Sequence, residues 1–152
     1  DAIISTQVNI FSAVGIADCC PILLVDPEQK ITAAIHAGWK GSVLGIVPKT
    51  ADLLISKYHS KPENLLAYIG PCISVQHFEV GDEVAEQFEF KEKRGNRWHV
   101  DLKASNEAQL RNVGISQIEI SEFCTIKNND LFFSHRKEKG VTGRMLALIG
   151  FR

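Results

Sequence analysis

Apolar positions along the chain fall into short β-like blocks punctuated by turn residues and interleaved with three stretches of helical spacing. Ala2–Ser5 and Ile10–Ile16 are rich in β-branched and apolar residues and predict strands. The run PILLVD, Pro21–Asp26, is closed by Asp-Pro, which starts a turn well, and predicts a hairpin into ITAAIHAG, Ile31–Gly38. Ser42 reads as an N-cap. The apolar residues Val43, Leu44, Ile46, Val47, Leu54 and Ile55 then follow near helical spacing through Tyr58, so that a helix begins near Val47 or is kinked at Pro48.

LLAYIG, Leu65–Gly70, predicts a buried strand. A helix is expected from about Gly81 to Phe88, a short strand over Arg97–Leu102, and a helix in KASNEAQLRNVG that ends at Gly114 as a C′ glycine. QIEI predicts a strand, and FFSHRKEKGVTGRMLALIGF predicts strand, loop, strand. Strands and helices mix without a steady βαβ alternation, which argues for an α+β fold with a mixed or antiparallel sheet.

The length of 152 residues suits one domain with a core of its own. The chain opens on DAIISTQ, a strand-like run without lead-in or initiator Met. Residues 1–152 therefore read as a single domain forming an N-terminally truncated portion of a longer protein. A formal net charge of −1 and scattered basic residues point away from nucleic acid and membrane surfaces. The densest basic run, Lys91–Arg97, reads as a solvated loop. No apolar run reaches the roughly 20 residues of a membrane span. Cys19, Cys20, Cys72 and Cys124 follow no secreted-scaffold spacing and read as reduced thiols of a cytoplasmic protein.

The candidate chemistry lies between Ala17 and Gly41. A turn centred near Pro27–Glu28 would set Cys19 opposite His36. Successive strand residues alternate faces, so only one of Cys19 and Cys20 can join His36, and symmetry about the turn favours Cys19. Spacing alone leaves three readings open: two ligands of a metal site, a Cys–His nucleophile pair, or a buried thiol beside a hydrogen-bonded histidine, the last being favoured. Asp18 orients a ligand, shuttles a proton or caps a turn. Arg136 and Arg144 flank one loop, either facing an anionic group with guanidinium forks or simply solvated. Cys72 stands just past a strand end, His135 beside Arg136, and Cys124, next to Phe123, reads as buried.

Four segments together resemble one family. ADCCPILLVD is similar to TADCxPVLL, and AAIHAGWKG to AAVHAGWRG. IGPCISVQHFEVGDEV is similar to GPxIxxxxFEVGxEV, and CTIKNNDLFFSHRKEKGVTGRM to CTxxxxxxFFSxRRxxxTGRM. The resemblance is to the YfiH-like family, long labelled laccase-domain or multicopper polyphenol oxidoreductase, and it covers nearly the whole chain in order. Lys40 and Lys137 stand where the family has arginine.

The resemblance implies an α+β fold shared with Cys–His deamidase toxins and a mononuclear zinc site with Cys19 and His36 as ligands. The family's third ligand, a His in a QxH motif, has no counterpart here, because Gln7 is followed by Val8 and Asn9; it is expected upstream of residue 1. The implied activity is phosphorolysis of purine nucleosides (adenosine, inosine, methylthioadenosine), with adenosine deaminase activity in addition. The implied partners are a purine nucleoside and phosphate. From their own positions in the sequence, beside turns and next to Cys19, Arg136 and Arg144 are candidates for binding substrate and Asp18 is a candidate acid–base group. The alternatives are a copper-dependent phenol oxidase and a non-catalytic domain that keeps the fold. Multicopper oxidation needs several histidine-rich sites, and the five histidines form no such cluster.

Overall fold

A computed structural model describes residues 1–152. In chain order the elements are β1 (Ala2–Ser5), β2 (Ser12–Ile16), β3 (Cys20–Asp26), β4 (Ile31–Ala37), α1 (Trp39–Val43), α2 (Ile46–Tyr58), β5 (Leu66–Ile69), β6 (Glu79–Val80) and α3 (Asp82–Ala85). They continue with β7 (Lys91–Arg94), β8 (Arg97–Val100), α4 (Leu102–Asn112), β9 (Gln117–Ile120) and β10 (Met145–Ile149). A five-stranded sheet runs β1-β4-β3-β5-β9, antiparallel except for the parallel pair β5 and β9, beside a ribbon of β2 with β10 and a small sheet β6-β8-β7. The fold is α+β, as expected.

β3 and β4 form the centre of the large sheet, and their near-continuous apolar runs suit strands covered on both faces. Cys20, Ile22 and Leu24 alternate onto one face and join a core with Ile35 and Ala37 of β4, Val47, Ala51 and Leu54 of α2, and Leu102 and Leu110 of α4. Fully burying a side chain such as Ile22 or Leu24 contributes about 1.5–3 kcal/mol. Pro21 and Leu23 point the other way, and line a groove with Ile16 of β2 and Met145 and Ala147 of β10. His36 pairs with Pro21 and so lies on this ribbon side.

The hairpin register differs from the expected one. Cys20 pairs with Ala37 and Pro21 with His36, so Cys19 comes level with Gly38 and not with His36. The cause is the connection: Asp26 pairs with Ile31, its Oδ1 accepts the N–H groups of Glu28 and Gln29, and Lys30 turns the chain back at φ 55°. The shift amounts to two positions in the pairing, which conserves the face.

The helix start near Val47 and the C′ glycine Gly114 are as expected, while the readings of Ser42, Gly81–Phe88, Lys91–Arg97 and FFSHRK are corrected. Ser42 is not an N-cap: it lies inside α1, buried, where its Oγ accepts the Asn106 amide at 3.0 Å and its carbonyl the Gln109 amide at 2.8 Å. α2 starts after Gly45 at φ 70° and accommodates Pro48 in its first turn, where the missing N–H has no intrahelical partner. The helix expected over Gly81–Phe88 is the single turn α3. The basic run is no loop: Lys91–Arg94 pairs with β8 around a Gly95–Asn96 turn, and the Lys91 and Lys93 ammonium groups lie 5.5 and 5.2 Å from the Trp98 ring centre. FFSHRK forms turns; only Met145–Ile149 of that segment is a strand. α4 is capped by the Asp101 carboxyl, which accepts the Ala104 N–H at 3.0 Å, and Gly114 follows it at φ 91°. No helix is long and apolar enough to cross a membrane.

Candidate functional site

Where β3 and β4 end beside the ribbon, a cavity of about 340 Å³ opens. Its walls include Asp18, Cys19, His36, Arg136 and Arg144, all five of the residues singled out from the sequence, together with His135. Ile73 and Phe78 supply its apolar part.

Cys19 and His36 converge on Gly38. A β-carbon at residue 38 would lie 3.0 Å from Cys19 Sγ and 3.9 Å from His36 Nε2, so glycine leaves the space that both donors face. The converging donors are a thiol and an imidazole, a borderline-soft pair suited to zinc. Burial pushes the Cys19 thiol above its ordinary pKa, the neighbouring Asp18 and Cys72 add to this, and Arg144 opposes it. A metal cation that binds the sulfur has to displace this proton. Burial pushes the His36 imidazole down, which favours the neutral, ligating form. Its Nδ1 lies 3.6 Å from Asp1 Oδ2. No third His, Cys, Asp or Glu completes a group with them within residues 1–152. The residues present fit two of the three protein positions of an open zinc site.

Asp18 is the structural hinge of the cavity. It is buried and left-handed at φ 82°, a conformation costly for a non-glycine residue. Three contacts hold it there. Oδ1 accepts the Thr125 hydroxyl at 2.6 Å, Oδ2 accepts the Arg136 main-chain N–H at 2.7 Å, and its carbonyl accepts the Ile73 N–H at 2.9 Å. Both carboxyl oxygens are thus engaged, one of them by the main chain of the turn that carries Arg136.

Arg136 and Arg144 reach the cavity from one loop. The Arg136 guanidinium donates to the Glu79 carbonyl at 3.1 Å and lies 5.7 Å from the Phe78 ring centre. Arg144 donates to the Gly143 carbonyl at 2.8 Å. Neither is paired with a carboxylate, so both forks remain available to an anion. The loop is braced internally by Glu138, whose carboxylate accepts the Ser134 N–H at 2.8 Å and the Thr142 hydroxyl. The Thr142 hydroxyl, then the Ser134 N–H, hold the Glu138 carboxyl below its ordinary pKa.

Sequence reasoning placed His135 at a turn without assigning it to the site, and it passed over Ile73 and Phe78. Both belong to the segment IGPCISVQHFEV, so the motif itself marked the region. His59, His77 and His99 lie outside the cavity.

Comparison with known proteins bears on this geometry. The family described as multi-copper polyphenol oxidoreductase laccase matches residues 1–152. A protein of Deinococcus radiodurans named purine nucleoside phosphorylase is 38% identical over 156 residues, covering 99% of this chain and 60% of that protein. The Escherichia coli purine nucleoside phosphorylase YfiH is 36% identical, covering 98% of this chain and 63% of its own length. The crystal structure of YlmD from Geobacillus stearothermophilus superposes with a TM-score of 0.95 at 34% identity, over 100% of this chain and 61% of that one. The chain thus spans about three-fifths of the length of the relatives it matches.

Proposed function

The chain belongs to the YfiH-like family, and from that premise we propose that it is the larger part of a zinc-dependent purine nucleoside phosphorylase, with adenosine deaminase activity in addition. The observation that carries this reading is that one cavity brings Cys19 and His36 together with two arginines free of carboxylate partners. The names of the relatives support the phosphorylase part of this reading.

Cys19 and His36 would hold the zinc ion, with the third protein ligand outside residues 1–152. When bound, zinc supplies Lewis acidity, which the deaminase activity requires. In phosphorolysis the bond between C1′ of the ribose and the purine nitrogen breaks while positive charge grows on the sugar. Arg136 and Arg144 hold the incoming phosphate dianion in line with C1′ and offset its charge as it approaches. Ile73 and Phe78 keep that side of the cavity apolar, and this strengthens the arginine–phosphate attraction. Asp18 fixes the Arg136 main chain relative to Cys19, so the phosphate side and the ligand side keep their separation.

Copper-dependent phenol oxidation is disfavoured by the donors on hand. Only His36 and His135 of the five histidines line the cavity, whereas multicopper chemistry draws on several histidine-rich sites.

The test is direct. The full-length protein is purified, its metal content measured, and adenosine followed by chromatography with and without phosphate. Adenine formed only with phosphate supports phosphorolysis, and inosine formed without phosphate supports deamination. Copper-dependent oxidation of a phenol with adenosine untouched, or turnover of neither, overturns the proposal.

A further inference from the structure

A second cysteine–histidine pair stands outside the cavity. Cys124 Sγ lies 3.5 Å from His77 Nδ1, and that nitrogen is 3.1 Å from the Ser74 hydroxyl. The Ser74 main-chain N–H donates to the same sulfur at 3.4 Å. Burial raises the Cys124 pKa, but the Ser74 side chain and the main-chain N–H groups of Lys127, Ser74 and Ile126 outweigh it, and the net shift is downward. The sulfur thus sits in a small nest of donors beside a base, the environment that separates a reactive thiol from an inert one. Cys20 and Cys72 have no exposure at all, whereas Cys124 retains 5%.

We propose that Cys124, with His77, is a modification site for small hydroperoxides and that its oxidation acts on the cavity through Thr125. The sulfur passes its proton to His77 Nδ1 and attacks one peroxide oxygen. The O–O bond breaks, the leaving hydroxide (or the alkoxide of an organic hydroperoxide) takes the proton back from the imidazolium, and water (or the alcohol) departs. Sulfur is oxidised to the sulfenic acid by two electrons and the peroxide is reduced by the same two. The step needs no other reactant and is reversible by thiols.

The added oxygen changes what the sulfur can offer Ser74 and His77, whose contacts at 3.4 and 3.5 Å hold residue 124 in place. Thr125 follows it in sequence, is fully buried, and holds Asp18 through its hydroxyl. Oxidation at Cys124 therefore loosens the residue that ties Arg136 to the Cys19 side of the cavity.

The experiment uses the zinc-loaded full-length protein. It is treated with limiting hydrogen peroxide, quenched with catalase, denatured and alkylated, and each cysteine peptide is quantified by mass spectrometry. Cys124 is expected to lose alkylation at least about tenfold faster than Cys20 or Cys72, and His77→Asn to slow that loss about tenfold or more. Peroxide should lower the melting temperature of the wild type by about 2–6 °C but not that of Cys124→Ser, with Cys124→Ala standing in if the serine variant misfolds. Equal reactivity of Cys124 and Cys20, no effect of His77→Asn, or an equal melting shift with and without Cys124 overturns the proposal. None of these readouts depends on the nucleoside reaction.

Discussion

Asp18 and Arg136, 118 residues apart in sequence, are joined by a 2.7 Å hydrogen bond from the Arg136 main-chain N–H to Asp18 Oδ2. The other oxygen of the same carboxyl group takes the Thr125 hydroxyl at 2.6 Å. Asp18→Ala leaves the buried Thr125 hydroxyl and the part-buried Arg136 N–H without this partner. The variant is expected to lose about 3 kcal/mol of stability, measured by urea denaturation, and to lose turnover beyond what stability explains. A wild-type denaturation midpoint would contradict this account of the hinge.

Gly38 has an ordinary extended backbone, φ −72° and ψ 174°, so alanine is free of backbone strain there. Its methyl group would still meet Cys19 Sγ at 3.0 Å. Gly38→Ala should keep the circular dichroism spectrum and lower zinc affinity by about 10–100-fold, as disturbed ligand supports do. Titration with a chromophoric zinc competitor reads it, and wild-type affinity would show that the ion does not use this space.

Arg136→Ala and Arg144→Ala should each raise the phosphate KM at least about tenfold while the nucleoside KM stays within about twofold, as expected when one anion contact is lost. Initial rates over a grid of both substrates separate the two constants. An unchanged phosphate dependence removes both residues from the proposed role.

The Glu138 brace has a defined pH window. Its pKa is lowered in the folded chain from an ordinary 4.5, so its stabilisation is fully present above pH 4.5 and is lost as pH falls through the lowered folded value. The stability difference between wild type and Glu138→Gln should therefore be constant from pH 7 to about pH 5 and shrink in stronger acid. Urea midpoints across that range check it, and a difference that grows in acid would reverse the sign.

Leu24→Ala tests the central strand. Leu24 is fully buried among helix-facing residues, and a loss of about 2–5 kcal/mol is expected. Leu23→Ala, on the half-buried ribbon side, should cost less. The same denaturation experiment compares them.

The strands flanking the cavity were readable because the apolar blocks of β3 and β4 are bounded by strong turn residues. The register was not, because an Asp26 side chain bonded to two main-chain N–H groups moves the turn centre. The face survived the error: strand faces repeat every two residues, so an even shift still put Cys19 and His36 on one side. The basic run Lys91–Arg97 concealed a hairpin because its organising residue, Trp98, lies just beyond it. Ser42 carries an N-cap's chemistry, but Asn106 and Gln109, distant in sequence, claim it. His77 beside Cys124 had no local signal either, since the pair forms only when two loops meet.

The contacts of Asp18 also set an order of events during synthesis. Cys19 and His36 leave the ribosome ahead of the closing partner Thr125, which arrives 107 residues after Asp18. Closing a loop of that length is slow relative to local pairing, because its entropy must be lost before any contact offsets it. A growing chain therefore carries this thiol and imidazole unlatched until Thr125 and the loop bearing Arg136 dock on Asp18.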